Sequence, residues 1–325
     1  MLTEYIDSAE RAAEIIREGG LVAFPTETVF GIGVDATNGD AVAKLFEAKG
    51  RPSNNPLIVH LDDGSHWARA AAELPTVARV LLDAFCPGPL TLVLPKLPII
   101  SHEVTAGLAT VGVRIPDHPI ARAILRTAAV PVAAPSANRS GRPSGTTWQA
   151  VSEDLDGRID AIFTADSTTI GIESTVVDCS GLDPVVLRPG AITLDQLQQV
   201  VPQTKEFEAG EKRRIVVSGE PVNSPGILHP HYQPHAEVCI VEVPPVGISV
   251  EVSAVSAFCG TEGFEGLDGF ALSKVFGSLE DYAAGFYEFL REVDRQSFER
   301  VFIQTASQEG IGRALRDRQR RAAGG

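Results

Sequence analysis

"LFEAKGRPSNNPLIVHL", residues 45–61, passes through three kinds of local structure in a short span. Its start completes a helical pattern. Val42, Leu45, Phe46 and Lys49 recur at i, i+3, i+4 and i+7, one face of a helix beginning near Asp40. Gly50 is a natural stop, because glycine enters the left-handed C-cap conformation without steric penalty. A polar hinge follows, with Lys49, Arg51, Ser53, Asn54 and Asn55 gathered together. The apolar run "LIVHL" (57–61) then reads as a short buried strand carrying a histidine. Helix, hinge and buried strand predict an α/β layer, and the chain on either side repeats the theme.

Upstream, residues 7–18 read as a helix. Asp7 and Glu10 fit a capping box, Ala9, Ala12, Ala13 and Ile16 form its apolar stripe, and Gly19-Gly20 ends it. Strands are predicted at 21–24, 90–95, 111–115, 130–134, 174–178 and 185–188, with helices at 74–85 and 118–128 between them. The alternation implies a mixed, largely buried sheet. After residue 200 the periodicity fades into a long segment rich in Pro, Gly and His, which reads as a linker or loop. Strands return at 238–243, 255–259, 270–273 and 301–306. A helix capped by Ser278 and Asp281 and a basic last helix complete a second βαβ-like unit. The expected organisation is a domain over 1–204, a linker over 205–237 and a smaller domain over 238–325.

The chain has 325 residues and a formal net charge of −14. A broad basic face for nonspecific nucleic-acid binding is therefore not expected, and any anion site must be local. The chain holds 28 Lys and Arg, of which 22 are Arg and 6 Lys, so a lysine at a polar hinge draws notice. Cys86, Cys179, Cys239 and Cys259 are scattered without a Cys-x-x-Cys pair and read as reduced thiols. The first twenty residues are amphipathic and acidic, unlike a signal peptide, and no apolar run approaches the ~20 residues that cross a bilayer. A cytoplasmic location is expected.

Spacing leaves two readings of Lys49 open. Its ammonium could face the carbonyls at the end of its own helix, or it could pair with Arg51 to hold a phosphate-bearing ligand. His60, near a strand end, reads as a hydrogen-bonded core residue or a ligand. Arg114 lies in a strand that reads as core, so its guanidinium must be paired, by a protein carboxylate or by a substrate carboxylate. "APSANRSGRPSGT" (134–146) follows a strand and offers hydroxyls and backbone amides, as do "GIESTVVD" (171–178) and "LRPGAIT" (187–193). His229, His231 and His235 sit among prolines without a carboxylate in their cluster, and no metal site is assigned to them.

Taken in order, "FPTETVFGIG" (24–33), "KLFEAKGRPSNNPLIVH" (44–60), "CPGPLTLVLP" (86–95), "VGVRIPDHP" (111–119), "PVAAPSANRSGRPS" (131–144), "GIESTVVD" and "VLRPGAI" resemble the YrdC-like family. Its Lys-x-Arg and Ser-x-Asn signature stands here as Lys49/Arg51 and Ser136/Asn138. "SPGILHPHYQP" (224–234) resembles the linker motif of the long form. The resemblance implies a YrdC-like twisted mixed sheet with helices, plus a smaller Rossmann-like α/β C-terminal domain. It further implies an enzyme, a nucleotidyltransferase that joins L-threonine, bicarbonate and ATP into threonylcarbamoyl-AMP for tRNA adenosine modification. Mg²⁺ would accompany ATP, no prosthetic group is implied, and a downstream tRNA threonylcarbamoyltransferase would take the product. Carried over by position, Thr28, His60, Arg114, Ala134 and Ser174 would surround threonine. Arg51, Asn55, Thr110, Ser136, Ser144, Arg188 and Tyr232 would surround ATP, and Lys49, Arg51 and Asn138 would serve the chemistry. Phe30 stands where the family commonly has tyrosine, and "GILHPHYQP" departs from the usual linker sequence. An RNA-binding module and a carbamoyltransferase of hydrogenase maturation are the competing readings, since both use YrdC-like domains.

Overall fold

A computed structural model describes residues 2–207, 231–242, 255–263 and 267–324. The linker expectations that fall on 208–230, including His229, lie outside the described residues. The first unit runs β1 (Glu4–Ile6), α1 (Ala9–Arg17), β2 (Val22–Phe24), β3 (Gly31–Asp35), α2 (Gly39–Lys49), β4 (Ile58–His60), α3 (Thr76–Phe85), β5 (Leu90–Pro95), α4 (His102–Thr105) and β6 (Thr110–Arg114). It continues with α5 (Pro119–Ala128), β7 (Val132–Ala133), α6 (Trp148–Leu155), β8 (Ala161–Phe163), β9 (Thr175–Asp178), β10 (Val185–Arg188), α7 (Leu194–Val200) and β11 (Lys205–Glu206). Its strands join one sheet in the order β1-β8-β2-β3-β7-β4-β6-β5-β9-β10-β11. Parallel and antiparallel neighbours alternate irregularly along it, so the sheet is mixed, as the sequence predicts.

Local chemistry explains the element ends. Helix α2 begins at Asn38, whose side chain accepts a hydrogen bond from the Ala41 amide, and stops at Gly50 in the left-handed conformation at φ 63°. The amides of Gly50 and Arg51 bond to the carbonyls of Glu47 and Phe46, which satisfies the end of the helix. Helix α1 corrects one expectation: its cap is Ser8, not the Asp7–Glu10 pair. Ser8 has extended backbone and its hydroxyl accepts from the Arg11 amide, the geometry that an N-cap requires. Strands β1, β3 and β8 and helices α6 and α7 have no counterpart among the sequence expectations. The strands are too short, or too rich in glycine, to display a period.

In the second unit, β12 (Glu237–Val241), β13 (Ser256–Gly260), β14 (Leu272–Val275) and β15 (Arg300–Gln304) form a separate sheet in the order β12-β15-β13-β14. All of its pairings are parallel, which fits the Rossmann-like expectation. Helix α8 (Leu279–Arg295) buries Tyr282, Phe286, Leu290 and Val293, and α9 (Gly312–Ala322) buries Ala314 and Leu315. Val29 and Ile172 of the first unit belong to this same apolar cluster, so the two units share a core.

Their backbones approach closely at Gly171. Its φ is +77°, and a Cβ there would lie 2.4 Å from Ala284 Cα on α8. Left-handed strain and overpacking would act together in Gly171→Ala, with an expected loss of about 2–4 kcal/mol. Urea denaturation of the full chain would measure it, and an unchanged midpoint would show that the two units are not held in this register.

Candidate active site

The site begins with the end of α2. Because Gly50 and Arg51 already cap that end, the Lys49 ammonium is free to reach across the fold. It donates to the carbonyls of Ser136 at 2.6 Å and Asn138 at 2.5 Å. The Lys49 carbonyl accepts from the Ser140 amide in return, at 2.8 Å. The snorkelling alternative is therefore not what the structure shows, and the Lys-x-Arg and Ser-x-Asn segments form one assembly. Within the loop, Ser136 Oγ donates to Asn138 Oδ1, and Asn138 Nδ2 donates to the carbonyls of Arg139 and Arg142. The loop is also laced to the start of β3: Ala137 N bonds to Phe30 O, Phe30 N to Gly145 O and Ile32 N to Pro135 O. Phe30 itself is fully buried core.

Beside this assembly lies a cavity of about 590 Å³, including its open mouth. Arg51, Arg114, Arg188 and Ser136 line it, with Lys49 behind the Ser136 carbonyl. Arg51 donates to the carbonyls of Asn55 and Pro56, and Arg188 to the carbonyl and hydroxyl of Ser174. Among the described residues, the hydrogen bonds of Lys49, Arg51 and Arg188 all go to neutral oxygens. Burial, with Arg51 nearby, pushes Lys49 well below the usual lysine range, and burial brings Arg51 down to about 9. Buried cations held by neutral oxygens suit an anionic ligand.

A second group comes from adjacent strands. His60 on β4 is in register with Arg114 on β6, and Arg114 with Thr91 on β5. Thr91 Oγ1 and Ser174 Oγ, just before β9, are 2.8 Å apart. Sheet pairing therefore places His60, Arg114 and Ser174 side by side, and Ala134 joins them by donating its amide to the Ile58 carbonyl. His60 is held to about 3 by burial and by the charge of Arg114, so its imidazole is neutral. Arg114 has a protein partner that the sequence left open: Nη2 lies 2.8 Å from Glu27 Oε1. The approach is not aligned as a hydrogen bond, and Arg114 Nε and Nη2 and both Glu27 oxygens retain that capacity. Thr28 sits one layer back, its hydroxyl 2.9 Å from that of the cavity-lining Thr26.

The end of the linker reaches the same cavity. His231 and Tyr232 line it, and Gln233 N donates to Gly141 O in the Ser-x-Asn loop. His231 Nε2 lies 3.5 Å from Asn55 Nδ2, which puts Asn55 beside the cavity rather than in its wall. Thr110 is not brought to this cavity; it lines a small, largely apolar one with Leu57, Ile58 and Val111. Sequence reasoning missed two residues, Glu27 and Glu173. Both stand inside quoted motifs, but their partners are distant in sequence: Arg114 for Glu27, and Tyr287 and Arg318 for Glu173. Their immediate neighbours, Thr26 and Thr28 for Glu27 and Ile172 and Ser174 for Glu173, gave no signal of a buried carboxylate.

Comparison with known proteins gives a consistent picture. The family described as "Telomere recombination" (Sua5, YciO and YrdC) matches residues 14–190. The family described as "Threonylcarbamoyl-AMP synthase, C-terminal domain" matches residues 192–324. The chain is 42% identical over 325 residues to a threonylcarbamoyl-AMP synthase of Bacillus subtilis, with 97% of this chain and 92% of that one covered. It is 39% identical to the counterpart of Pyrococcus abyssi, covering 96% and 93%. A crystal structure of P. abyssi Sua5 complexed with L-threonine superposes with a TM-score of 0.88 at 35% identity, covering 100% of this chain and 98% of that one.

The buried histidines make stability depend on pH. His60 and His231 each fall to about 3 from an ordinary 6.5, so their neutral forms favour the folded state. That contribution is complete above pH 6.5 and is lost as pH falls toward 3. At pH 4.5 each would cost on the order of 3 kcal/mol. Glu173, held near 2, begins to lose its own contribution only below its ordinary 4.5. Urea unfolding at pH 7 and pH 4.5 should therefore show an acid loss in His60→Gln that is smaller than in wild type by on the order of 3 kcal/mol. An equal loss in both proteins would mean that His60 is not buried neutral.

Proposed function

The chain belongs to the threonylcarbamoyl-AMP synthase family, and we infer that it joins L-threonine, bicarbonate and ATP into threonylcarbamoyl-AMP with release of pyrophosphate. One observation carries the reading. A chain of net charge −14 gathers Lys49, Arg51, Arg114 and Arg188 around one cavity, three of them hydrogen-bonded, among the described residues, to neutral oxygens. The reaction needs that field. The threonine nitrogen bonds to the bicarbonate carbon with loss of water, giving a carbamate. A carbamate oxygen then bonds to the α-phosphorus as the bond to pyrophosphate breaks. Carboxylate, carbamate and triphosphate repel one another unless cations are already placed among them. Catalysis is then positioning and charge neutralisation, with no protein nucleophile.

The roles divide along the cavity. Arg114, His60, Ser174, Ala134 and Thr28 form the threonine side, where unused donors on Arg114 suit a carboxylate and Glu27 faces the same guanidinium. Arg51, Arg188, Ser136, Ser144, Asn55 and Tyr232 form the nucleotide side, and Thr110 lines a small neighbouring cavity that shares Pro56, Leu57 and Ile58 with this one. Lys49 and Asn138 hold the loop between them. Mg²⁺ fits as the companion of ATP rather than as a resident of the protein. The cavity offers cations and neutral groups, and its lining carboxylate, Glu173, is committed to Arg318. The product serves a downstream tRNA threonylcarbamoyltransferase in the cytoplasm. Among the described residues no helix is long and apolar enough to cross a membrane. An RNA-binding role finds little support in the acidic charge, and full-length similarity to synthases favours the enzyme over a hydrogenase-maturation carbamoyltransferase.

Residues 1–204 act as the catalytic domain, 238–325 as the C-terminal domain and 205–237 as a linker whose described end, from His231, covers the site. His231 and Tyr232 in the cavity wall support a covering role.

Arg114→Ala should raise the threonine KM about tenfold to a hundredfold with little change for ATP, the loss of one charge-assisted partner. Arg51→Ala should do the reverse. Pyrophosphate release with each substrate varied in turn checks both, and parallel shifts in the two constants would refute the division. For the linker, hydrogen exchange across 231–236 should slow when ATP and threonine are added together. Unchanged protection would reduce the segment to a tether.

A further inference from the structure

The second unit sends two buried arginines into the first. On α8, Arg291 is 1% exposed; its Nη2 donates to Asp154 Oδ2 at 2.8 Å and to the carbonyl of Pro143 at 2.5 Å. Asp154 also accepts from the Arg139 amide and from Arg142, so α8 clamps the loop that leads into Ser144. On α9, Arg318 is fully buried, and its Nε donates to Glu173 Oε2 at 3.0 Å. The Tyr287 hydroxyl from α8 donates to the same oxygen at 3.0 Å, while Ser144 Oγ donates to the other, Oε1, at 2.6 Å. The Arg318 guanidinium also sits 5.9 Å from the ring centre of Tyr232, which stacks on Tyr287 at 5.0 Å. Glu173 and Tyr232 both line the cavity.

We propose that Arg318 is a positioning residue for the nucleotide half of the site, acting through Glu173 and Tyr232. The proposal rests on the assignment of Ser144 and Tyr232 to ATP made above. One carboxylate is divided between the two units: Oε2 belongs to Arg318 and Tyr287, Oε1 to Ser144. Arg318 thereby fixes the carboxylate that orients the Ser144 hydroxyl, and its face supports the tyrosine ring that closes the wall. Adhesion alone would not call for this arrangement. Burying a guanidinium and a carboxylate is expensive, and apolar side chains of similar volume join surfaces at least as well. What the pair supplies is direction, because each hydrogen bond fixes an atom beside the cavity. The C-terminal unit is in this sense part of the active-site wall, with no group of its own required to touch the reacting atoms.

The test uses full-length Arg318→Met, Arg318→Lys, Tyr287→Phe and the double variant Arg318→Met with Glu173→Gln, each with its thermal unfolding recorded. Pyrophosphate release is measured with ATP and threonine varied independently. Arg318→Met should raise the ATP KM about tenfold or more, the size expected for one charge-assisted contact, and the threonine KM by less than about twofold. Arg318→Lys should recover part of the loss, and Tyr287→Phe should show a smaller shift in the same direction. The double variant removes the stranded carboxylate and should regain melting temperature while its ATP KM stays high. A role confined to holding the units together would return that KM toward wild type, and this outcome overturns the proposal. So do unchanged or parallel KM values in Arg318→Met and Arg318→Lys. Ser144→Ala separates the two levels of inference. A raised ATP KM there with none in Arg318→Met refutes the relay and leaves the nucleotide assignment standing, and unchanged values in both refute the two together.

Discussion

A lysine ammonium held between two backbone carbonyls is the contact on which the rest of the site depends. Lys49 ends α2, and its partners, Ser136 and Asn138, lie 87 and 89 residues further along the chain. Burial disfavours the charged amine, yet the carbonyls and the Ser140 amide fix its place on both sides. The loop it holds is itself bonded to the start of β3, so hydrogen bonds tie the helix, the loop and the sheet together. Arg51, just beyond Gly50, is held by the carbonyls of Asn55 and Pro56. A site whose work is charge placement gains most from such support, because preorganised cations need no rearrangement as negative charge develops.

The same principle explains how an acidic protein manages a polyanionic reaction. The chain carries an excess of carboxylates, while the cavity concentrates cations that neutral oxygens hold in place. The carboxylates nearest the cavity are not spare. Glu27 faces Arg114 and Glu173 faces Arg318, each tied to a guanidinium rather than opposed to the incoming anions. Charge is therefore balanced locally, residue by residue, and the net charge of the chain says little about the site itself.

The second unit enters this arrangement through burial as well as charge. Val29 and Ile172 share its apolar core, Gly171 lets α8 approach the first unit's backbone, and Arg291 and Arg318 reach across to carboxylates. A loosely tethered domain would present a polar, hydrated contact. Here apolar side chains and buried ion pairs share the contact, and it carries groups that end at the cavity wall.

Much of this was legible in the sequence, and the boundary has a physical cause. Local rules operate within a few residues, so the 3.6-residue period of α2, its stop at Gly50 and the apolar runs of β4, β5, β6 and β9 could be read directly, as could the change of texture after residue 200. Collinear motifs gave the family resemblance and brought Arg51, Arg114 and Arg188 forward as candidates. Short elements such as β1 and β8 stayed hidden, since three residues carry no period and are strands only because neighbours supply their hydrogen bonds. The partner of a buried charge is equally invisible, because pairing is fixed by the fold and not by spacing. Sequence left Lys49 between two readings, Arg114 without a partner and Glu173 unremarked. Tertiary structure decided all three: desolvation demands a partner for every buried charge, and only the folded chain determines which distant atom is near enough to provide it.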